Sequence, residues 1–195
     1  PREVVLYHFL DSLTPLAALD CKKWSHPLRL LDVGTGAGFP GIPLKLACPS
    51  FALTLLESVG KKVAFLTHLT SRLGLRDVNI IKGRAEDIAH MGEHRESYDV
   101  VVSRAVASLP ALAELTLPFC QQGGIIVAQK KGDIQAEVEA SHKALDVLGG
   151  SLDEVKWLNL PELGEPRALV ILKKISPTPQ AYPRTAGMPA KRPIR

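Results

Sequence analysis

The amino-acid sequence predicts an α/β fold with a seven-stranded sheet, mostly parallel and finished by an antiparallel C-terminal hairpin. Three observations carry that reading. From residue 28 onward, apolar strand-like runs alternate with helix-like stretches, a rhythm that gives a parallel sheet with helices on both faces. The last two strand-like runs, "SLDEVKWLNL" and "RALVILKKI", follow one another across the turn-rich "PELGEP", and so short a link permits only antiparallel pairing. A glycine-rich turn, "DVGTGAG", comes directly after the first strand, where open α/β sheets bind their ligands.

The N-terminal "REVVLYHFLDSL" places Val5, Leu6, Phe9, Leu10 and Leu13 at helical spacing, and Pro15 is expected to close this first helix. A polar link with Trp24 and His26 leads into a strand over 28–33. "FALTLLE" (51–57) is the second strand, and "SVGKKVAFLTHLTSRLG" a helix with Val63, Phe65, Leu66 and Leu69 inward, stopped at Gly74. "VNIIKG" is the third strand; "YDVVVSRA", the fourth, is too continuously apolar for a half-exposed sheet edge. "LPALAELTLPFC" reads as a helix broken near Pro118, and "GGIIVAQKKG" as the fifth strand. "DIQAEVEASHKALDVLG" opens with Asp133 at an N-cap position and ends at Gly149, as a helix should.

The 195 residues, 46% hydrophobic and 23% charged, suit one soluble globular domain with a substantial core. No run approaches the roughly 18 apolar residues of a membrane span, and the N-terminus reads as an amphipathic helix rather than a signal peptide, so a cytoplasmic location is expected. Cys21, Cys48 and Cys120 are odd in number and lack a C-x-x-C pair; the reading is of buried apolar residues, not a disulfide framework or zinc site. His90 and His94 stand four apart without H-E-x-x-H around them, so no metal is expected there.

The formal net charge of +4 lies wholly in residues 176–195, where Arg184, Lys191, Arg192 and Arg195 stand without an acid. This Pro-, Gly- and Ala-rich stretch is not expected to form a helix, and either lies along the body or stays mobile. Composition leaves open a solubilising end or a phosphate-binding arm. Three units are expected: a helical segment (1–27), a cofactor-binding domain (28–175) and a basic arm (176–195).

Gly34, Gly36 and Gly38 let the backbone approach a ligand with no Cβ in the way. Their alternation gives the D/E-x-G-x-G-x-G pattern associated with S-adenosylmethionine (SAM) binding. From Gly36 the stretch also spells the dinucleotide fingerprint G-x-G-x-x-G, but that register starts two residues too late. A pyrophosphate needs free N–H groups at a helix start, and in "FPGIP" Pro40 and Pro43 have none. Glu57, at the end of strand two, stands where a carboxylate accepts both ribose hydroxyls. "GRAED" puts Ala85 and Glu86 where the adenine edge should lie, although Glu86 and Asp87 also suit a helix N-terminus.

In order along nearly the whole chain, "HFLDSL", "DVGTGAGFPGIPL", "GRAE", "SRAV", "KKG" and "YPR-x-AG-x-P" resemble the bacterial RsmG family, also called GidB, which methylates the N7 of a guanosine in small-subunit (16S) ribosomal RNA using SAM. The resemblance implies a class I, Rossmann-like SAM-dependent methyltransferase. SAM contacts would then fall on Gly34, Phe39, Ala85, Glu86 and Arg104, with Glu57 on the ribose; many relatives carry Asp at that last position. The family usually has further helical sequence before "HFLDSL", so the segment 1–27 is expected to be truncated.

After strand four, "SRAVASLP" offers neither the D/N-P-P-Y of amino-group methylases nor a cysteine nucleophile. Guanine N7 explains that absence, since its lone pair carries no proton and its attack on a sulfonium methyl needs neither a base nor a covalent intermediate. Orientation alone supplies roughly 7–11 kcal/mol in good cases. Arg104, Lys130 and Lys131, at the carboxyl ends of strands four and five, are the candidates for the reaction centre. Arg pairs bidentately with the guanine O6/N7 edge, which would block N7, so Arg104 is expected on the cofactor or a phosphate. Lys130, Lys131, Arg184, Lys191, Arg192 and Arg195 are expected to hold RNA, with Tyr182 stacking on a base. Loss of 184–195 would then weaken RNA binding and leave SAM affinity nearly unchanged. The expected partner is small-subunit ribosomal RNA or the 30S particle, with no membrane or metal, and the chain is expected to be a monomer. Two alternatives remain: an NAD-linked oxidoreductase, opposed by the prolines and the terminal strand pair, and a non-catalytic RNA-binding protein on a methyltransferase fold, opposed by the intact glycines and Glu57.

Overall fold

A computed structural model describes residues 2–19, 27–104 and 107–195. Seven strands, β1 (Arg29–Val33), β2 (Ala52–Glu57), β3 (Val78–Lys82), β4 (Tyr98–Arg104), β5 (Cys120–Lys131), β6 (Gly150–Leu158) and β7 (Arg167–Lys174), form one sheet in the order β3-β2-β1-β4-β5-β7-β6. Neighbours from β3 to β5 are parallel, while β7 is inserted between β5 and β6 and antiparallel to both. The expected hairpin is therefore present, with β7 alone reversed. The chain moves outward on one side of β1 to β2 and on the other to β4, which opens a crevice at the carboxyl ends of those two strands.

Successive strand residues bury on opposite faces. Leu31, Val33 and Val101 pack with Leu112, Phe119 and Leu145, whereas Leu30, Val100 and Val102 pack with Leu44, Phe51 and Leu66. Helices on both sides make both faces of β4 interior, which is why "YDVVVSRA" is continuously apolar. The helices are α1 (Arg2–Val4), α2 (Asp11–Leu13), α3 (Gly41–Ala47), α4 (Gly60–Arg72), α5 (Ala85–Ile88), α6 (Leu109–Thr116), α7 (Gln135–Leu148) and α8 (Met188–Lys191).

Several local expectations are corrected. The first helix is not uniform: a π-helical segment, Val5–Leu10, joins α1 to α2, and Pro15 sits inside a following 3₁₀ turn, Thr14–Ala17. The wider π turn breaks the 3.6-residue period, so Val5 and Phe9 are exposed while Asp11, Ser12 and Thr14 are buried. On α4, Leu66 is buried but Phe65 is 48% exposed, because only one narrow face of this helix is covered. The C-terminal arm, expected to be non-helical, contains the short α8; Pro189 falls in its first turn, where no intrahelical donor is needed. Cys120 is free and buried, as expected, whereas Cys48 is disulfide-bonded, against the expectation of no disulfide; cysteine number and spacing along the chain do not report which side chains the fold brings together. The expected link at Trp24 and His26, together with Cys21, Ala105 and Val106, lies outside the described residues.

Candidate functional site

The glycine loop is organised from beneath by Asp32, which is fully buried near the end of β1. Its Oδ2 accepts the Thr35 hydroxyl at 2.6 Å and the Gly41 N–H at 2.8 Å, tying both ends of the loop to one strand. Burial pushes its pKa up to about 6, against the lowering effect of those two hydrogen bonds and of Arg104. Gly34, Gly36 and Gly38 all have positive φ. At Gly38 a side chain is excluded twice, since a Cβ would also come within 2.4 Å of Ile42 Cδ1.

The start of α3 has no donor left for a diphosphate. Gly41 N–H is taken by Asp32, Ile42 N–H by the Gly38 carbonyl and Leu44 N–H by the Pro40 carbonyl, and Pro43 has none. The prolines of "FPGIP" therefore act as the sequence reading expects.

Three cavities run along the carboxyl ends of the strands. The first, about 220 Å³, is lined by Gly34, Glu57, Ala85, Glu86, Gly187 and Ala190 among others. The second, about 370 Å³, is lined by His8, Gly34, Gly36, Phe39 and Arg104, and the third, about 580 Å³, by His8, Asp11, Arg104, Gln129, Lys130 and Arg167. Gly34 lines both of the first two, and His8 and Arg104 line both of the last two, so the three lie side by side along the strand ends.

The first cavity presents acceptors. Glu57 Oε2 accepts the Gly36 N–H at 3.0 Å and Oε1 the Val59 N–H at 2.8 Å, which fixes the carboxylate on the cavity wall. Glu86 Oε1 accepts the Gly187 N–H at 2.8 Å. Two carboxylates and no free phosphate-binding loop fit a group with hydroxyls and an amine, as an adenosine has, and fit a diphosphate poorly. The adenosine end of SAM meets that donor set. At the junction of the second and third cavities the Arg104 guanidinium lies 5.3 Å over the Phe39 ring and pairs with Asp11 at 3.1 Å. His8 and Phe9 flank the same ring, with centroids 5.5 and 5.2 Å away.

The structure thus places Gly34, Glu57, Ala85 and Glu86 on the first cavity and Gly34, Gly36, Phe39 and Arg104 on the second, with Gly38 packed against Ile42 behind the loop. The residues expected on RNA divide. Lys131, Lys191, Arg192 and Arg195 are exposed, with no ion-pair partner among the described residues. Lys130 instead donates to Glu137 and to the Ala107 carbonyl, both at 2.7 Å. Tyr182 is half-buried against the core. Arg184 makes a two-pronged ion pair with the fully buried Glu114, at 2.9 and 2.6 Å.

Sequence reasoning missed His8, Asp11, Gln129 and Arg167. Asp11 pairs with Arg167 at 2.7 Å as well as with Arg104, and its carbonyl accepts Gln129 Nε2 at 2.7 Å. A signal for Arg167 existed: reversing β7 brings its first residue opposite Lys131, at the ligand end of β5. Nothing in "HFLDSL" alone points to that cleft.

The fold is that of the class I SAM-dependent methyltransferases. Precorrin-6y C5,15-methyltransferase of Geobacter metallireducens superposes with a TM-score of 0.59 at 15% identity, over 84% of this chain and 87% of that one. So does SpnF, a [4+2]-cyclase, with a TM-score of 0.61 at 15% identity, over 85% and 81%; the fold alone does not fix the reaction. The family model GidB, described as rRNA small subunit methyltransferase G, matches residues 1–165, and the chain belongs to that family. A relative from Desulforamulus reducens, named ribosomal RNA small subunit methyltransferase G, is 48% identical over 194 residues, spanning 100% of this chain and 80% of its own length.

Proposed function

We propose that this chain transfers the methyl group of SAM to the N7 of a guanine in small-subunit (16S) ribosomal RNA. Family membership supports the reaction class, and the observation that carries the reading is the cavity whose wall presents the Glu57 and Glu86 carboxylates, beside an α3 start whose backbone donors are all taken. SAM, when bound, supplies an electrophilic methyl on a sulfonium. Glu57, Ala85 and Glu86 would hold its adenosine, and Gly34, Gly36 and Phe39 its methionine side. The acceptor base would enter the 580 Å³ cavity, where Arg104, Arg167, Lys130 and Lys131 gather positive charge against Asp11 and Glu137. With Arg104 and Arg167 clamped on Asp11, those guanidiniums are preorganised for a phosphate rather than mobile.

The residues that then meet RNA are Lys131, Lys191, Arg192 and Arg195; Lys130 and Arg184 serve the protein's own carboxylates. The unit acts as a cytoplasmic monomer with domain 28–175 at its centre. The test is transfer from labelled SAM to unmodified 16S RNA, naked and within the small subunit, with the modified nucleoside identified by mass. Label on 7-methylguanosine is the expected result. No label from a folded chain that binds SAM would leave only the non-catalytic RNA-binding reading, and label on another atom would remove the N7 assignment.

A further inference from the structure

Residues 176–195 run back over the body and are held at successive points. The buried Lys174 ammonium pairs with Glu96 at 2.9 Å, and Glu96 accepts the Thr178 N–H at 2.6 Å. The Arg95 guanidinium donates to the carbonyls of Thr178, Pro179 and Tyr182, at 2.8, 3.2 and 3.0 Å. His90 Nε2 donates to the Pro183 carbonyl at 2.8 Å, and Arg184 grips Glu114. These anchors lead to one place: Gly187 and Ala190 stand in the wall of the first cavity, and the Gly187 N–H occupies one oxygen of Glu86.

We infer that the C-terminal arm is part of the cofactor site, with Gly187 as a positioning residue that fixes Glu86 so that its second oxygen faces the 6-amino group of the adenine. The inference rests on the SAM-dependent reading given above. Glu86 is 92% buried, and a buried carboxylate with both oxygens unheld would be free to turn from the cavity. Gly187 suits this place because its φ of +84°, with the N–H bonded to Glu86, is a conformation that L side chains avoid. The arm's phosphate-facing role thereby shrinks to Lys191, Arg192 and Arg195. On this inference, loss of 184–195 would weaken SAM binding as well as RNA binding.

The experiment measures calorimetric Kd values for S-adenosylhomocysteine and for its analogue lacking the 6-amino group, on the full chain and on Gly187→Pro, which removes the N–H and cannot adopt that φ. The full chain is expected to prefer S-adenosylhomocysteine, by about tenfold for a hydrogen bond to a charged group. In Gly187→Pro the affinity for S-adenosylhomocysteine falls about tenfold and the preference approaches unity. Gly187→Ala, which keeps the N–H under backbone strain, retains the preference and serves where the proline variant does not fold. Equal weakening of both ligands in Gly187→Pro, or loss of the preference in Gly187→Ala, would make the arm merely structural. Unchanged affinities would overturn the inference outright. Failure of the full chain to bind S-adenosylhomocysteine at all would instead remove the cofactor reading.

Discussion

Asp32 and Glu114 are both buried carboxylates, yet they are held by different partners. Among the described residues Asp32 has no ion-pair partner; its Oδ2 is satisfied by Thr35 and Gly41 while Oδ1 has no hydrogen-bond partner there, and burial raises its pKa from 3.8 to about 6. Between those limits the folded chain keeps a proton that the unfolded chain has released. Stability therefore falls as pH rises through that window, by about 3 kcal/mol in all, and the full cost is present above it. In Asp32→Asn that slope disappears. Urea unfolding of both chains should show the difference in unfolding free energy shifting by about 3 kcal/mol toward the variant between pH 4 and 6.5. Parallel curves would show that another group titrates. Glu114, in contrast, is neutralised by Arg184, whose hydrogen bonds to the carboxylate raise its own pKa further. Arg184→Ala strands that buried charge and is expected to cost about 3–5 kcal/mol. Pairing it with Glu114→Leu should recover most of the loss; strictly additive costs in the unfolding experiment would mean the two residues are not coupled.

At the scale of elements, the glycine loop is the part whose sequence and geometry agree most closely, because each of its constraints is local. Gly38 needs a positive φ and has Ile42 Cδ1 2.4 Å from where a Cβ would stand. Gly38→Ala should thus push the loop off Asp32, destabilise the chain by more than ~1 kcal/mol, and weaken SAM binding about tenfold or more, as read by calorimetry and a thermal melt. An unchanged Kd would mean the loop wall does not touch the cofactor. The N-terminal element is the opposite case. Its apolar spacing fits an α-helix, but the π-helical segment at Val5–Leu10 turns Asp11 into the cleft instead, and π geometry has no sequence period that marks it. Likewise α6 reads as a helix, but nothing in "LPALAELTLPFC" marks Glu114 as buried. The residue that keeps it dry, Arg184, lies 70 positions away in a segment whose composition resembles a mobile tail.

At the scale of the molecule, strand count, the parallel body and the reversed last strand were legible because periodicity and link length govern them, while the course of the arm depends on tertiary partners such as Arg95 and Glu114. That difference bears on chemistry, since the charges counted along the chain are not the charges a ligand meets. Lys130 and Arg184 are spent internally, and Arg104 and Arg167 share Asp11. His8 packs its ring on Phe39 and lines both the second and third cavities. A guanine N7 carries no proton to remove, so methyl transfer to it needs no base and His8 would act by packing alone. Single-turnover rates with saturating SAM should then be flat from pH 6.5 to 9. His8→Ala should lower the rate less than about tenfold, with the same flat profile, through looser placement of Phe39 and Arg104. A rate that instead rises with pH as a single ionisation, and loses that rise in His8→Ala, would make His8 a general base. The acceptor would then be a protonated nitrogen or oxygen rather than N7.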